Sequence, residues 1–364
     1  MFEHVKQVLG PTLGKDEMFV LNNPTECPII QQLQDQLVSE AESVKNGMEK
    51  EIIKRVESFS TSVEEWTTQT SQQGVRFDTD LFKQLIQQEI NQSDQSRTAR
   101  LNNLRSSILD QMNADGVVYA QLTAMNASTG RITVNSPALQ SLPSSVRQSI
   151  LPQQSDDNGI YYLDFNSMEP SVLAGISKDE ALITDIRSGD LYRELTHNFK
   201  NLNLDDNDIR DKVKQLFLAT FMYGGDIEYH LNKLGLNITS QHWVSVMDKY
   251  KSAKKLITAI KRERKATSIL GNDHDFGRTN VPVFNRYLQS EAANIFKLVL
   301  LELKAVEDSL SFKTILPIHD AVIIESKSEQ DAKAVAGVME RTFNSVFDIN
   351  IASVSIQTLK QEEI

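Results

Sequence analysis

Apolar positions along this chain change their period several times. From Pro28 to Val56 they recur at Ile30, Leu33, Leu37, Val44, Met48, Ile52 and Val56, roughly one face of a helix. Gly74-Val-Arg-Phe-Asp78 interrupts that pattern. Asp78 or Thr79 can cap a further helix, which starts near Asp80 and runs, polar and rich in Gln, Asn and Arg, to about Met112. The stretch Val117-Val-Tyr-Ala-Gln-Leu-Thr-Ala-Met125 reads as strand. Thr129 to Pro143 reads as a turn, a short strand and an irregular segment. Ile160-Tyr-Tyr-Leu163 is a short apolar, aromatic run with the character of a buried strand, and it ends on Asp164. Helical spacing and the helix formers Leu173, Ala174, Glu180, Ala181 and Leu182 predict one helix from about Met168 to Ile186.

Asp205-Asp-Asn-Asp208 offers caps for a helix from about Ile209 to Met222, which Gly224 and Gly225 terminate. Helices are expected to fill most of 226–268. A loop rich in Gly, Asn and Asp follows from Gly271 to Gly277, then a long helix from about Phe284 to Leu310. Thr314 to Ile318 and Val322 to Glu325 are short strands flanking His319-Asp320. A helix over Gln330 to Val346 and a strand over Ile349 to Gln357 close the chain. Long helices mixed with strands in this order predict an α+β core with a helical insertion.

Composition narrows the function classes. Of 364 residues, 40% are hydrophobic and 24% charged, ordinary proportions for a soluble globular protein. No apolar run is long enough to span a bilayer, and Met1-Phe-Glu-His-Val-Lys6 is not a signal peptide, so the expectation is a cytoplasmic protein without a membrane partner. The single cysteine, Cys27, excludes an internal disulfide. The histidines show no ligand spacing that would build a structural zinc site. A net charge of −11 argues against a protein that coats nucleic acid, but distribution matters more than the sum. Lys249, Lys251, Lys254, Lys255, Lys261, Arg262, Arg264 and Lys265 face only Glu263 in the same run. They form either a solvated helix face or a phosphate-facing patch.

Asp164 stands where a core strand turns toward a helix. Alone it is an N-cap or a cation ligand. Asp320, at the tip of a two-strand unit, is a second carboxylate able to lean over a neighbouring strand end. Two aspartates on adjacent strands could share a pair of Mg²⁺ ions that clamp the attacking and leaving oxygens of an in-line phosphoryl displacement. Arg210 and Lys214 lie one turn apart on one helix face and would grip a triphosphate. Their helix continues into Phe217-Leu-Ala-Thr-Phe-Met-Tyr223-Gly224, too apolar for pure surface.

With these pieces together, the chain resembles the polymerase domain of family A DNA polymerases. Asp164-Phe-Asn-Ser-Met-Glu169 is similar to the first palm motif, Arg210-Asp-Lys-Val-Lys214 with Tyr223-Gly224 to the fingers motif, and Ile318-His-Asp320 to the last palm motif. Thr129-Gly-Arg131, Pro137 to Pro143, Val146-Arg147-Gln-Ser149, Gly189-Asp-Leu-Tyr192 and Asn285-Arg-Tyr-Leu-Gln289-Ser-Glu-Ala-Ala293 follow the family's order, so the resemblance covers roughly 74–364. It implies a right-hand fold in this arrangement: a helical extension over 1–63, a reduced thumb-like region over 64–116, palm over 117–190, fingers over 191–277 and the second part of the palm over 278–364.

The resemblance also implies roles. Asp164 and Asp320 would hold two Mg²⁺ ions, and Lys214, with Arg210, would act on the dNTP triphosphate. Glu169 would be the gate that leaves no room for a 2′-hydroxyl, and Tyr223 would pack beside it. Arg131, Arg147, Asn285 and Gln289 would contact primer-template DNA, with minor-groove acceptors as targets for Arg131, Asn285 and Gln289. His319 would touch the primer end.

Departures from the family pattern matter. Ala321 stands where an acidic residue often follows the last-motif Asp, and Tyr192 replaces a histidine used on the incoming phosphates, where a Tyr hydroxyl can still donate one hydrogen bond. Lys214 to Tyr223 is one residue longer than usual. The surplus rotates the helix face by about 100° unless a π-bulge absorbs it, which leaves Leu218 or Ala219 as the base-stacking residue. Pro170 is tolerable in a first helical turn. The thumb is curtailed and no proofreading exonuclease is expected upstream, so synthesis is expected to be distributive unless an accessory or processivity protein docks, with 1–63 as its candidate dock. A ribonucleotide-tolerant enzyme and a catalytically silent nucleic-acid-binding relative are the rival readings. The encoding source, nucleoid-associated or phage or mobile element, is left open.

Overall fold

The computed structural model describes residues 28–124, 129–199, 206–277 and 282–359. Cys27, Met125 and Asp205 lie outside them, as do the side chains of Ile30, Leu33, Leu37, Val44 and Met48. Helix α1 (Pro28–Gln73) is followed by β1 (Val75–Arg76), α2 (Thr79–Asn91), α3 (Gln95–Gln111), β2 (Val117–Val118), β3 (Gln121–Thr123) and β4 (Thr133–Asn135). Next come β5 (Gly159–Phe165), α4 (Met168–Ser177) and α5 (Glu180–Arg187). Then come α6 (Leu191–Thr196), α7 (Asp206–Leu216) with a π-helical continuation over Phe217–Met222, α8 (Ile227–Leu234), α9 (Ser240–Met247) and α10 (Lys251–Glu263). The chain ends with β6 (Lys265–Thr267), β7 (Asp273–Asp275), α11 (Val283–Leu310), β8 (Phe312–Ile318), β9 (Ala321–Ser326), α12 (Glu329–Phe347) and β10 (Val354–Thr358).

Contacts divide the chain into two compact units. One is the described chain up to Thr61 with Leu270–Asn272, and the other is Ser62–Ile269 with Asp273 onward. In the first, Ile53 is exposed to solvent. All the candidate site residues lie in the second.

A four-stranded antiparallel sheet in the order β10-β5-β9-β8 forms the base of the second unit. β9 reads Ala-Val-Ile-Ile-Glu-Ser and is buried along its whole length, the signature of a strand covered on both faces. α11 and α12 pack on each other, α12 against β5, β9 and β10, and α11 against β8 and α4. α4 approaches α12 so closely that a Cβ at Gly175 would stand 2.5 Å from the Phe347 ring, so only glycine fits there.

Buried carboxylates fasten the irregular segments to this base, and two predicted elements change because of them. The single helix predicted over Met168–Ile186 is two. Lys178 takes a left-handed conformation, and Asp179 Oδ1 caps α5 by accepting the Leu182 amide at 3.0 Å. Asp179 Oδ2 also accepts the Ala253 amide at 3.0 Å, a long-range contact that helix propensity cannot report. Lys265–Thr267, predicted helical, and part of the predicted 271–277 loop pair instead as the β6–β7 hairpin. Glu291 of α11 holds that hairpin, accepting the Ile269 amide at 2.7 Å and lying 3.1 Å from His274 Nε2. The polar helix expected from Asp80 to Met112 is also two, α2 and α3, because Asp94 caps a second start by accepting the Arg97 amide at 2.8 Å.

Glu325 does the same for the chain entering β5. It is 0% exposed and accepts the amides of Gln153, Gln154 and Ser155 at 2.7, 2.9 and 3.2 Å, and Asn158 Nδ2 at 2.7 Å. Glu325→Ala strands these donors, with an expected loss of about 3 kcal/mol. Urea unfolding checks it: the midpoint should fall with the slope unchanged.

Candidate active site

Register brings the two aspartates together. Asp164, near the end of β5, pairs with Ala321 on β9 and with Ser355 on β10. His319-Asp320 is the turn between β8 and β9, so Asp320 immediately precedes the residue that faces Asp164. His319 closes that turn at φ 57°, and desolvation, outweighing the charge of Asp320, lowers its imidazole from the ordinary value. Burial, and then the charge of Asp320, push the Asp164 carboxyl up to about 6 against the pull of Lys214 and Arg147. Arg147 is seated by its Nε, which donates to Leu142 O at 3.1 Å, and by the Tyr162 ring, 4.8 Å from its guanidinium carbon.

Across from the carboxylates, α7 supplies the cations. Arg210 Nε donates to Asp190 Oδ2 at 2.6 Å, and both Arg210 and Lys214 stand over the Tyr192 ring, at 5.7 and 5.6 Å. Tyr192 is only 2% exposed; burial pushes its hydroxyl up to about 12, and that hydroxyl bonds Ser167. Tyr192 thus offers the cations its ring, while its hydroxyl oxygen accepts from Ser167. Lys214 itself is exposed.

Beyond Leu216 the helix widens. The Tyr223 amide donates to Leu218 O at 3.0 Å, an i→i−5 bond, and Trp243 Nε1 fixes the widened turn by donating to Thr220 Oγ1 at 2.9 Å. The surplus residue between Lys214 and Tyr223 is taken up there, the outcome that keeps both faces usable. Tyr223 then reaches Glu169: its hydroxyl donates to Oε2 at 2.5 Å, while Arg131 Nη2 donates to Oε1 at 2.8 Å. Gln289 also hydrogen-bonds the Tyr223 hydroxyl. Arg131, Glu169, Tyr223 and Gln289 are therefore one network. Leu218 and Ala219 are both half-buried, so exposure does not separate them as stacking residues. Asn285 Oδ1 is buried without a hydrogen-bond partner, ready for a donor.

The family model "DNA polymerase family A" matches residues 29–268. The chain belongs to DNA polymerase family A. It is 24% identical over 248 residues to DNA polymerase I of Streptococcus pneumoniae, covering 59% of this chain and 28% of that one. With DNA polymerase I of Geobacillus stearothermophilus it shares 26% identity over 59% of this chain and 28% of the relative. DNA polymerase theta of Caenorhabditis elegans is 25% identical over 55% of this chain and 13% of its own length. The chain thus spans little more than a quarter of the DNA polymerase I relatives it matches. Its fold is that of the polymerase domain of Pol1 from M. smegmatis, solved with DNA primer-template and dNTP. The TM-score is 0.65 at 14% identity, over 98% of this chain and 77% of that one.

The family A match ends before Asp320, Asn285 and Gln289, so their membership of the site rests on the β5–β9 register and on the Tyr223–Gln289 bond. The family's further carboxylate is absent here: Ala321 is buried, and the described residues hold no cluster of three or more His, Cys, Asp or Glu able to bind a metal. Two carboxylates with repelling charges are still a hard-oxygen donor set, and they fit Mg²⁺ that keeps water and takes phosphate oxygens. The lysine run is partly self-neutralised. Lys249 pairs with Asp185, Lys254 with Asp248, Arg262 with Glu263 and Lys265 with Asp275. Lys251, Lys255 and Lys261 remain without ion pairs among the described residues. No helix of the described residues is long and apolar enough to cross a membrane.

Sequence reading missed Asp190, Tyr162 and Ser167, which seat Arg210, Arg147 and Tyr192. Asp190 carried a signal, since it stands in the Gly189-Asp-Leu-Tyr192 block, whereas nothing in one dimension pairs Tyr162 with Arg147.

Asp164 supplies a stability test. Its carboxyl titrates near 3.8 when unfolded and about 6 when folded, so ionising it opposes folding fully above pH 6 and not at all below about pH 4. In metal-free buffer, Asp164→Asn should therefore stabilise the fold at pH 8 by about 1–2 kcal/mol, discounted for partial exposure, with the gain vanishing toward pH 4. Melting curves at the two pH values check both sign and window.

Proposed function

We propose that this chain is a template-directed DNA polymerase that adds dNTPs to a primer 3′-hydroxyl and releases pyrophosphate. The observation that carries the reading is the pairing of Asp164 with the residue after Asp320, beneath the cations of α7, in a chain of family A. Asp164 and Asp320 would hold two Mg²⁺ ions, which as Lewis acids stabilise charge on the attacking and leaving oxygens.

The protein's own groups do the remaining work. Lys214 and Arg210, held over Tyr192 and by Asp190, bind the triphosphate and offset charge that moves to the leaving pyrophosphate. Glu169, fixed from both sides by Arg131 and Tyr223, stands as a rigid carboxylate at the sugar and excludes a 2′-hydroxyl. Arg131 and Gln289 present donors to minor-groove acceptors common to every base pair, with Asn285 adding its side-chain amide, so geometry is checked without sequence choice. His319 meets the primer end as a hydrogen-bonding partner. Arg147, between Tyr162 and Asp164, contributes positive potential on the DNA side. Leu218 or Ala219 would stack on the incoming base. Limited phosphate-holding surface favours distributive synthesis or an accessory partner.

Primer extension with Mg²⁺, comparing dNTPs with NTPs, tests the reading. Asp164→Ala and Asp320→Ala should each abolish extension, a loss of at least a thousandfold, while primer-template binding persists. A mutant extending near the wild-type rate overturns the metal assignment, and a wild-type chain that binds but never extends DNA favours the silent relative.

The gate role has its own measurement. Glu169→Ala should narrow the preference for dNTP over NTP at some loss of rate. Unchanged discrimination removes Glu169 from that role.

A further inference from the structure

α11 carries three buried charged side chains, and they are treated differently. Glu291 is bonded to the β6–β7 hairpin, and Glu307 accepts from Lys304, Lys313 and the Thr314 amide. Lys297, 4% exposed, has no carboxylate and no hydrogen-bond acceptor among the described residues. Burial lowers its ammonium pKa to about 8, so it is still mostly charged at pH 7. The stem is buried, but the Nζ is not one of the buried polar atoms left without a partner, so the ammonium reaches the surface at the end of a buried stem.

Its position says what would satisfy it. Lys297 lies one turn beyond Ala293, which lines the small pocket shared by Arg131, Glu169, His319 and Asp320. Its Nζ stands 3.7 Å from where a Cβ of Gly130 would be, beside Arg131. Gly130 has φ 69° and carries no side chain, so the ground in front of the ammonium is bare backbone edge. Of the carboxylates lining that pocket, Glu169 is already engaged by Arg131 and Tyr223. Among the described residues no carboxylate pairs with the ammonium, and the place in front of it is open to an anion of a bound ligand.

We propose that Lys297 binds a backbone phosphate of the bound nucleic acid duplex, at the notch formed by Gly130 and the face of α11. The proposal rests on the polymerase reading for the identity of the duplex. It adds a phosphate-holding group that no motif marks, placed on the side of the site where Arg131 and Gln289 meet the minor groove. Primer and template strands offer the same phosphodiester chemistry, and the test separates them.

The experiment uses the full chain, Lys297→Met and Lys297→Arg. Met keeps the apolar stem and removes only the charge, so the unliganded Met variant should melt at or above the wild-type temperature. A large drop would reveal a structural partner and overturn the proposal. Primer-template binding measured over a KCl series should lose about 0.9 from its log–log slope in Lys297→Met, one phosphate contact, and keep it in Lys297→Arg. A panel of duplexes, each with a single methylphosphonate walked along the primer and then the template, locates the contact. Wild-type binding should weaken severalfold at one linkage, to which the Met variant is indifferent, and the strand carrying that linkage is the partner. Equal slopes and equal sensitivity across the panel overturn the proposal. If the wild-type chain extends primers while those quantities are equal, only the Lys297 contact fails. If it neither binds nor extends, the polymerase reading fails first.

Discussion

Two like charges held at neighbouring strand ends are the constraint on which this structure turns. Asp164 and Asp320 repel, and burial makes the repulsion costly, yet the β5–β9 ladder and the two-residue β8–β9 turn leave them no freedom to separate. The compensation is distributed. Lys214 comes from α7, Arg147 from the segment preceding β5, and neither neutralises the pair by direct contact. The site is left short of positive charge, and the fold bears that deficit through a well-buried sheet and helices α11 and α12.

Around this deficit the candidate side chains are seated against one another before anything binds. Arg210 rests on Asp190, Arg147 on Tyr162, the α7 cations on Tyr192, and Glu169 between Arg131 and Tyr223. A charged group whose rotamers are restricted before substrate binds loses less entropy when it does bind. The Tyr192 ring is the clearest case, because it is itself buried and carries both α7 cations over its face.

Much of this was legible in one dimension. The strand that ends on Asp164, the β8–β9 hairpin and the long helix α11 follow from period, length and turn residues, and the order of motifs carried the family. The misread elements share a cause. The break at Lys178–Asp179 and the β6–β7 hairpin are held by Asp179 and Glu291, carboxylates whose partners lie 74 and 22 residues away. Propensity and periodicity report neighbours in sequence, so a buried acid that accepts amides from a distant segment is invisible to them. Lys297 escaped for the complementary reason: in sequence it is one more lysine on a helix, and only burial without a partner distinguishes it.

The π-helical turn over Phe217–Met222 has a consequence for how length varies in this family. An insertion in a loop is absorbed by slack and leaves the flanking elements where they were. Here the surplus residue sits inside a helix and is stored as a different hydrogen-bond spacing, held by Trp243 on Thr220. The two ends of that helix present different groups, the cations Arg210 and Lys214 before the turn and Tyr223 after it. Within the turn, one residue more is therefore held without disturbing angular phase. A single deletion among these six residues would let the i→i−5 spacing relax to the α-helical one with Tyr223 still facing Glu169, so the widened turn is a residue held in reserve.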